Sequence, residues 1–405
     1  MINKVIQIGN FLGICLLILS ACQQPEDVNP GGRNTFIKFF GTTAQNTAEA
    51  MIASPDGGYL LLGNGFSDSS QFINLIKVNE HGNTIWQRYY HNVSGKKVMA
   101  TASGYVITGD KLMTSTEETN TLALHVMTLD LTGAIKQEFT LDSELKNTKG
   151  YSLAMDQNGD VLILGTKETE PNVSEVILLA LQENNLQQQW IQKYSLVNGS
   201  YRVGKSLHVT PEGALIWAST VLQLPSKSYI NIPVVLSNTQ GINNEAFGQN
   251  DPFNYSANDI APGLGGYATI GTSNSSGTSN ILFFRTQNTG AIVPGSERVI
   301  GGVGNDTGLA LTATQDGGYI LLGTKATIIA NGISIGGGGD DIYLIKTDPL
   351  GNILWENTYG GTGHERGRSI LETSDGGYLI FGNHELQGKS MMFLVKTNKN
   401  GALND

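Results

Sequence analysis

Eight side chains in the segments between apolar runs carry chemistry suited to gripping a polar ligand: Tyr201, Arg202, Phe253, Tyr255, Asp306, His364, Glu365 and Arg366. An aromatic face stacks on a sugar ring or a peptide plane, an arginine fork pairs with a carboxylate, and a carboxylate accepts from hydroxyls or amides. The same residues also read as solvated loop side chains packing on their neighbours. Other chemistry is thinly represented. His81, His91, His125, His208, His364 and His384 stand singly, without the spacing of a metal-ligand set. The run Ile335-Gly336-Gly337-Gly338-Gly339-Asp340-Asp341 invites a phosphate or calcium reading. A phosphate cradle needs a loop that opens a helix, usually with a lysine, and calcium needs more oxygens than two adjacent carboxylates supply. The run is therefore expected to be a flexible loop, and neither a metal nor a cofactor is expected. No motif pairs a nucleophile with a base.

The elements that hold these residues follow from a repeat. The chain has 405 residues, of which 51 are glycine, well above the ordinary share of about 7%. A turn, an apolar run and a closing glycine recur at Asp56-Gly57-Gly58-Tyr59 to Gly63, at Asp316-Gly317-Gly318-Tyr319 to Gly323 and at Asp375-Gly376-Gly377-Tyr378 to Gly382. Degenerate copies put the closing small residue at Gly109, Gly165, Ala218 and Gly271, a mean spacing of about 53 residues over seven units. A second apolar run follows in each unit. It ends in a turn with a polar first residue and glycine at the fourth, as a type I turn prefers: Asn79/Gly82, Asp130/Gly133, Asn238/Gly241, Gln287/Gly290, Asp348/Gly351 and Asn398/Gly401. The third unit has Leu186 where the glycine would sit. A third run carries Trp86, Trp190 or Trp355 at a fixed offset, and these are expected to plug the space between units. A fourth, more polar alternating segment precedes each glycine turn, and no stretch holds helical spacing.

Four strands per unit and seven units predict an all-β fold, a seven-bladed β-propeller over residues 35–405. The last unit stops after its third strand. Phe36 to Gly41 align without a gap on Trp355 to Gly360, so the N-terminal strand is expected to complete the seventh blade and remove an open sheet edge. The short, alike glycine turns between first and second and between third and fourth strands would share one structural face. The opposite, variable face would carry the connections Asp110–Asn120, Thr166–Ser174, Thr220–Ile230, Gly271–Ser279 and Thr324–Asp341, with the eight candidate residues around the channel mouth. A net charge of -10 makes nucleic acid a poor partner, since phosphate binding needs clustered lysine and arginine.

Residues 1–21 read as an export signal: a positive start ending at Lys4, then an apolar run from Val5 to Leu19, too short for a comfortable membrane span of about 20 residues. Leu19-Ser20-Ala21-Cys22 resembles the lipobox of bacterial lipoproteins, which implies a lipid on Cys22. Cys15 would be removed with the signal, leaving no thiol for a disulfide. Residues 22–34 read as a flexible tether. Its Glu26-Asp27 pair resembles the surface-export signal of Bacteroidota lipoproteins, which implies an outer-membrane, lipid-anchored and surface-exposed domain.

The Asp-Gly-Gly-Tyr turn, the segment from Asp348 through Gly351-Asn352 to Trp355, and Tyr359-Gly360-Gly361 resemble the repeat of propeller lipoproteins of Bacteroidota over residues 35–405, most closely in units one, six and seven. The aspartate, glycine and tryptophan spacing is also similar to quinoprotein dehydrogenases and to the propeller scaffold lipoprotein of outer-membrane protein assembly. The quinoprotein resemblance implies eight blades and a vicinal disulfide, which seven units and the cysteine content argue against. The expected role is therefore non-enzymatic: a binding or scaffold domain, accessory to an outer-membrane protein complex or docking an extracellular polymer through the variable face. The alternative is a glycan-binding protein, or a lyase or hydrolase, with its site at the channel mouth.

Overall fold

The computed structural model describes residues 35–41, 45–67, 70–114, 120–141, 147–170, 173–194, 201–223, 227–236, 243–330 and 333–403. Cys22, the rest of residues 1–34 and the Asn238/Gly241 turn lie outside them. The described residues form seven four-stranded antiparallel sheets and no helix, arranged as a seven-bladed β-propeller. The innermost strands are Gln45–Ala53, Val93–Thr101, Thr148–Met155, Tyr201–Val209, Tyr255–Gly263, Thr307–Ala313 and His364–Glu372. Each touches the innermost strand of both neighbouring blades, so the ring is closed around a central channel.

There is no single core. Seven apolar clusters are each shared by two adjacent blades, from the blade one and two cluster around Leu60, Leu62, Tyr105 and Ile107 to the blade seven and one cluster around Leu61, Ile76, Phe381 and Leu394. Leu60, Leu61 and Leu62 are all fully buried, because a middle strand is covered on both faces. That is why the second strands read as unbroken apolar runs rather than alternating ones.

The ring is latched by the N-terminal strand Phe36–Phe40, which pairs antiparallel with Lys389–Thr397 as the outer strand of blade seven. The aromatic positions explain the alignment that predicted this. The Trp86 ring lies over Gly133, in the outer turn of the next blade, whose carbonyl accepts from the Tyr90 hydroxyl at 2.5 Å. Trp355 and Tyr359 treat Gly401 the same way. In the seventh blade Phe36 lies over Gly82 of blade one, in the tryptophan's place. One bulky ring thus seals each of these interfaces against a glycine that has no side chain to interfere.

The Asp-Gly-Gly turns have a further partner, a buried lysine on the third strand. Lys77, Lys346 and Lys396 are at most 5% exposed and pair with Asp56, Asp316 and Asp375. Burial raises the Asp316 and Asp375 carboxyls, but the lysine, a threonine hydroxyl and a glycine N–H outweigh it and bring both down to about 2.

Three expectations need correction. The chain from Thr324 to Asp341 is not a flexible loop: Tyr319–Ala330 and Ile333–Thr347 continue as a paired hairpin, and only Gly336 to Gly339 bulge out, opposite Thr327. β-Branched residues on both arms favour the extended backbone. Strand also extends into the other variable connections; Asp160–Glu170 and Val173–Gln182, for instance, leave only two residues between them, whereas Gly271–Ser279 keeps a turn between Ser273 and Asn280. The Leu186 turn is also one residue longer than its counterparts, with the Leu186 N–H bonded to the Gln182 carbonyl. Leu186 adopts a left-handed φ of 54° and is tolerated there because its side chain is buried in the blade two and three cluster.

Two outcomes test this frame. Phe36→Ala should cost about 2 kcal/mol in urea denaturation, and an unchanged midpoint would contradict the latch. Carboxyls held below their unfolded value stabilise the fold above pH 4 and lose that contribution as pH falls toward 2. The denaturation midpoint should therefore drop between pH 5 and pH 2, and an Asp316→Asn, Asp375→Asn double variant should flatten that drop. An equally steep fall in the variant would remove the pairs from the account.

Candidate functional site

Every innermost strand carries a β-bulge at the same place. The register shifts between Ala48 and Ala50, Gly95 and Lys97, Gly150 and Ser152, Gly204 and Ser206, Ala257 and Asp259, Gly308 and Ala310, and Gly367 and Ser369. The extra residue in each is Glu49, Lys96, Tyr151, Lys205, Asn258, Leu309 or Arg368, and all seven line the channel. A bulge leaves one residue out of the ladder and re-aims it; repeated seven times, it makes a collar. It also explains the closing glycine of the repeat. A Cβ at Gly109 or Gly382, opposite the bulge, would overlap the carbonyl oxygen of Ser94 or Arg366. In blade four the residue at this place is Ser219, paired with Gly204, and not Ala218 as the sequence alignment has it.

In blades one, two, four and seven the residue after the closing small one reaches across to the next blade's bulge, whereas the Thr166 and Thr272 hydroxyls at the same place in blades three and five have no hydrogen-bond partner among the described residues. Asn383 Oδ1 accepts from Ala48 N at 2.8 Å, Asn64 Oδ1 from Gly95 N at 2.8 Å, Asp110 Oδ1 from Gly150 N at 3.2 Å, and Thr220 Oγ1 from Ala257 N at 3.0 Å. Asn64 also donates to Gly95 O at 2.9 Å and Asn383 to Asn46 O at 2.9 Å. Asp110, when ionised, can only accept. Buried to 5% exposure, it has its carboxyl raised to about 6 by desolvation, against the pull of Lys96, Lys149, the Gly150 N–H and the Ser94 hydroxyl.

Two cavities meet at the collar. The channel itself holds about 340 Å³. A cleft of about 480 Å³ opens to the variable face beside Phe66, Gln71 and Gln45 and shares Glu49, Lys96 and Tyr151 with the channel. The cleft's carboxylates are engaged: Glu49 by Lys96 at 2.9 Å and by Asn64 at 3.0 Å, Asp110 as above. Burial raises the Tyr151 hydroxyl well above the ordinary tyrosine value, helped by Tyr201, Asp110 and Glu168, so it stays protonated, able to donate and accept.

The eight residues chosen from sequence fall into separate places. Arg202 is buried at the start of blade four's inner strand, its backbone bracketed by the Ser174 hydroxyl at 2.7 Å. Burial lowers the guanidinium to about 10, partly offset by Tyr229. Tyr201 precedes it, half-buried. Tyr255 is buried edge-on against Phe247 and donates to Asp251, whereas Phe253 is exposed. Asp306 is buried, accepting from Ala326 N at 3.0 Å and Gly302 N at 3.1 Å. His364, Glu365 and Arg366 do come together with Asp340 and His384: Arg366 pairs with Asp340 at 2.6 Å and Glu365 with His384 at 2.5 Å. No hydrogen bond, ion pair or ring contact links these four groups among the described residues. The collar residues were missed, although a signal existed: each follows a small residue standing 14 or 15 positions before the closing one. Among the described residues no group of three or more histidine, cysteine or acidic side chains could hold a metal ion.

No known protein family matches the chain, and no curated protein does. Among solved structures it is similar to an ulvan lyase of a new polysaccharide lyase family, with 8% identity, a TM-score of 0.60, and coverage of 91% of this chain and 98% of that one. A protein of unknown function from Dyadobacter fermentans matches at 9% identity and a TM-score of 0.51, covering 89% and 97%. At such identities these similarities establish the fold alone.

Asp110→Asn tests the latch. A carboxyl raised above its unfolded value stabilises fully below pH 4 and loses that contribution as pH rises through about 6. The substitution supplies the donor seen at Asn64 and Asn383, so it should raise stability at pH 8 by on the order of 2 kcal/mol and leave it nearly unchanged at pH 4. A loss at pH 8 would contradict the assignment.

Proposed function

We propose that the protein is an exported, lipid-anchored surface protein that binds an extracellular glycan in the cleft leading from the variable face into the channel. The observation that supports this best is the composition of that cleft. Tyr151 and the exposed ring of Phe66 offer faces for sugar rings, while Gln45, Gln71, Ser94 and Lys149 offer donors and acceptors to hydroxyls, within a volume suited to one or two residues of a chain. Cys22 supplies the anchor in this reading, and residues 22–34 the reach.

A second reading, an accessory subunit that docks on an outer-membrane protein, is favoured by a different feature. Phe66, Leu112, Met113, Leu222, Phe253 and Met391 are exposed on or beside the variable-face hairpins of five blades. Apolar side chains at a rim suit a protein surface more than a hydrated polymer.

Affinity electrophoresis through gels carrying neutral and anionic polysaccharides distinguishes the two. Retardation by at least one polymer, weakened about tenfold by Tyr151→Ala, a change of 1.4 kcal/mol, supports glycan binding. No retardation by any polymer, together with recovery of one stoichiometric membrane protein, would replace it with the docking reading. Cys22→Ser should move the protein from the membrane fraction to the soluble one.

A further inference from the structure

The charge around the channel does not match the rest of the protein. The chain carries -10 overall, yet the channel and cleft gather Lys96, Lys97, Lys149, Lys205 and Arg368 against only Glu49, Asp110 and Asp259. The three carboxylates are occupied. Glu49 is held by Lys96 and Asn64, and Asp110 by Ser94 and the Gly150 N–H. Asp259 accepts from the N–H groups of Ile260 at 3.0 Å and Leu311 at 3.2 Å. The side chains of Lys97, Lys149, Lys205 and Arg368 have no hydrogen bond or ion pair among the described residues.

Lys205 is the telling case. It is set on the blade-four bulge, inside the collar. Burial lowers its pKa first, and the nearby Arg368 and Lys96 charges lower it further. Half-buried and without a side-chain counter-charge, Lys205 stands beside two other cations, which is costly to the fold. It is the arrangement expected of a site whose counter-charge arrives with a ligand, because like charges gathered in one channel repel one another until an anion enters between them.

We infer that the channel collar is an anion subsite, and that the glycan taken by the cleft is an acidic one whose carboxylate or sulfate group is seated between Lys205, Arg368 and Lys96. This rests on the glycan reading above and names its substrate class. The cavity of about 340 Å³ accepts one sugar ring at a chain end or branch, while the cleft takes the neighbouring residues. Arg368 provides the planar fork that pairs with two oxygens of one acid group, and Lys205 the point charge beneath it.

The test compares three polymers of similar length on the full chain: polygalacturonate, dextran sulfate and uncharged dextran. Binding of one or both acidic polymers, with dextran unbound, is the expected result, and which acidic polymer binds more tightly separates a carboxylate site from a sulfate site. Lys205→Met and Arg368→Met should each weaken that binding at least tenfold. Lys205→Met should at the same time raise the melting temperature, because a half-buried unpaired charge beside like charges is gone. Lys399→Met, exposed on the opposite face, should change neither.

Equal loss in Lys399→Met would show general attraction of a polyanion and overturn the subsite. So would dextran binding as tightly as the acidic polymers, with Lys205→Met unaffected, although glycan binding itself would then stand. Failure of all three polymers to bind would overturn both.

Discussion

The structure depends on one constraint, the bulge that interrupts every innermost strand at the same level of the ring. A strand that kept perfect register would turn its side chains only toward neighbouring blades, and its bare edge would face the axis. By slipping one residue out of the ladder, each blade sends a single side chain into the channel and draws its own backbone against the second strand. The closing glycine of the repeat, the small residue preceding the bulge, and the asparagine, aspartate or threonine that crosses from the blade before all answer to that slip. Fold and candidate site are therefore made by one device: the contacts that fix the blades in place also aim the collar.

Because the apolar clusters lie between blades, no blade buries its own faces. Stability is a sum of seven similar interfaces, and the seventh exists only if the ends meet. Placing the N-terminal strand beside the last third strand makes the closing interface from the same parts as the others, with Phe36 standing in for the tryptophan of blade six. The buried lysines under the Asp-Gly-Gly turns stiffen one face, and that leaves the opposite face free to extend its hairpins. The variable face thus varies in length and side-chain character while the frame beneath it stays constant.

Much of this was legible in sequence, and the reason is steric. A close backbone approach forces glycine, so the closing residue recurs and can be counted, and the aromatic that seals a glycine turn recurs with it. The same logic shows what stayed hidden. The bulged residue faces the channel and is free to differ between blades, so Glu49, Lys96, Tyr151, Lys205, Asn258, Leu309 and Arg368 follow no common type and draw no notice. Residues with conspicuous chemistry were often committed elsewhere: Asp306 ties down two backbone N–H groups, and Arg202 is enclosed at the start of its strand. The glycine run before Asp340 looked like a loop because composition does not report pairing, whereas its flanks are strand. Blade four misled by one position because serine there replaces the glycine that marks the register elsewhere.

The bulge turns the half-exposed Leu309 into the channel, whereas its neighbour Ala310, which also borders the channel, is 6% exposed and packed in the blade six and seven cluster, a difference that thiol chemistry reads directly. With Cys15 and Cys22 replaced, Leu309→Cys should be modified readily by a methanethiosulfonate reagent, and faster by an anionic reagent than by a cationic one, while Ala310→Cys resists both. Modification of residue 310 as fast as residue 309, or a cationic reagent outpacing the anionic one at 309, would contradict a collar of bulged residues around a positively charged channel.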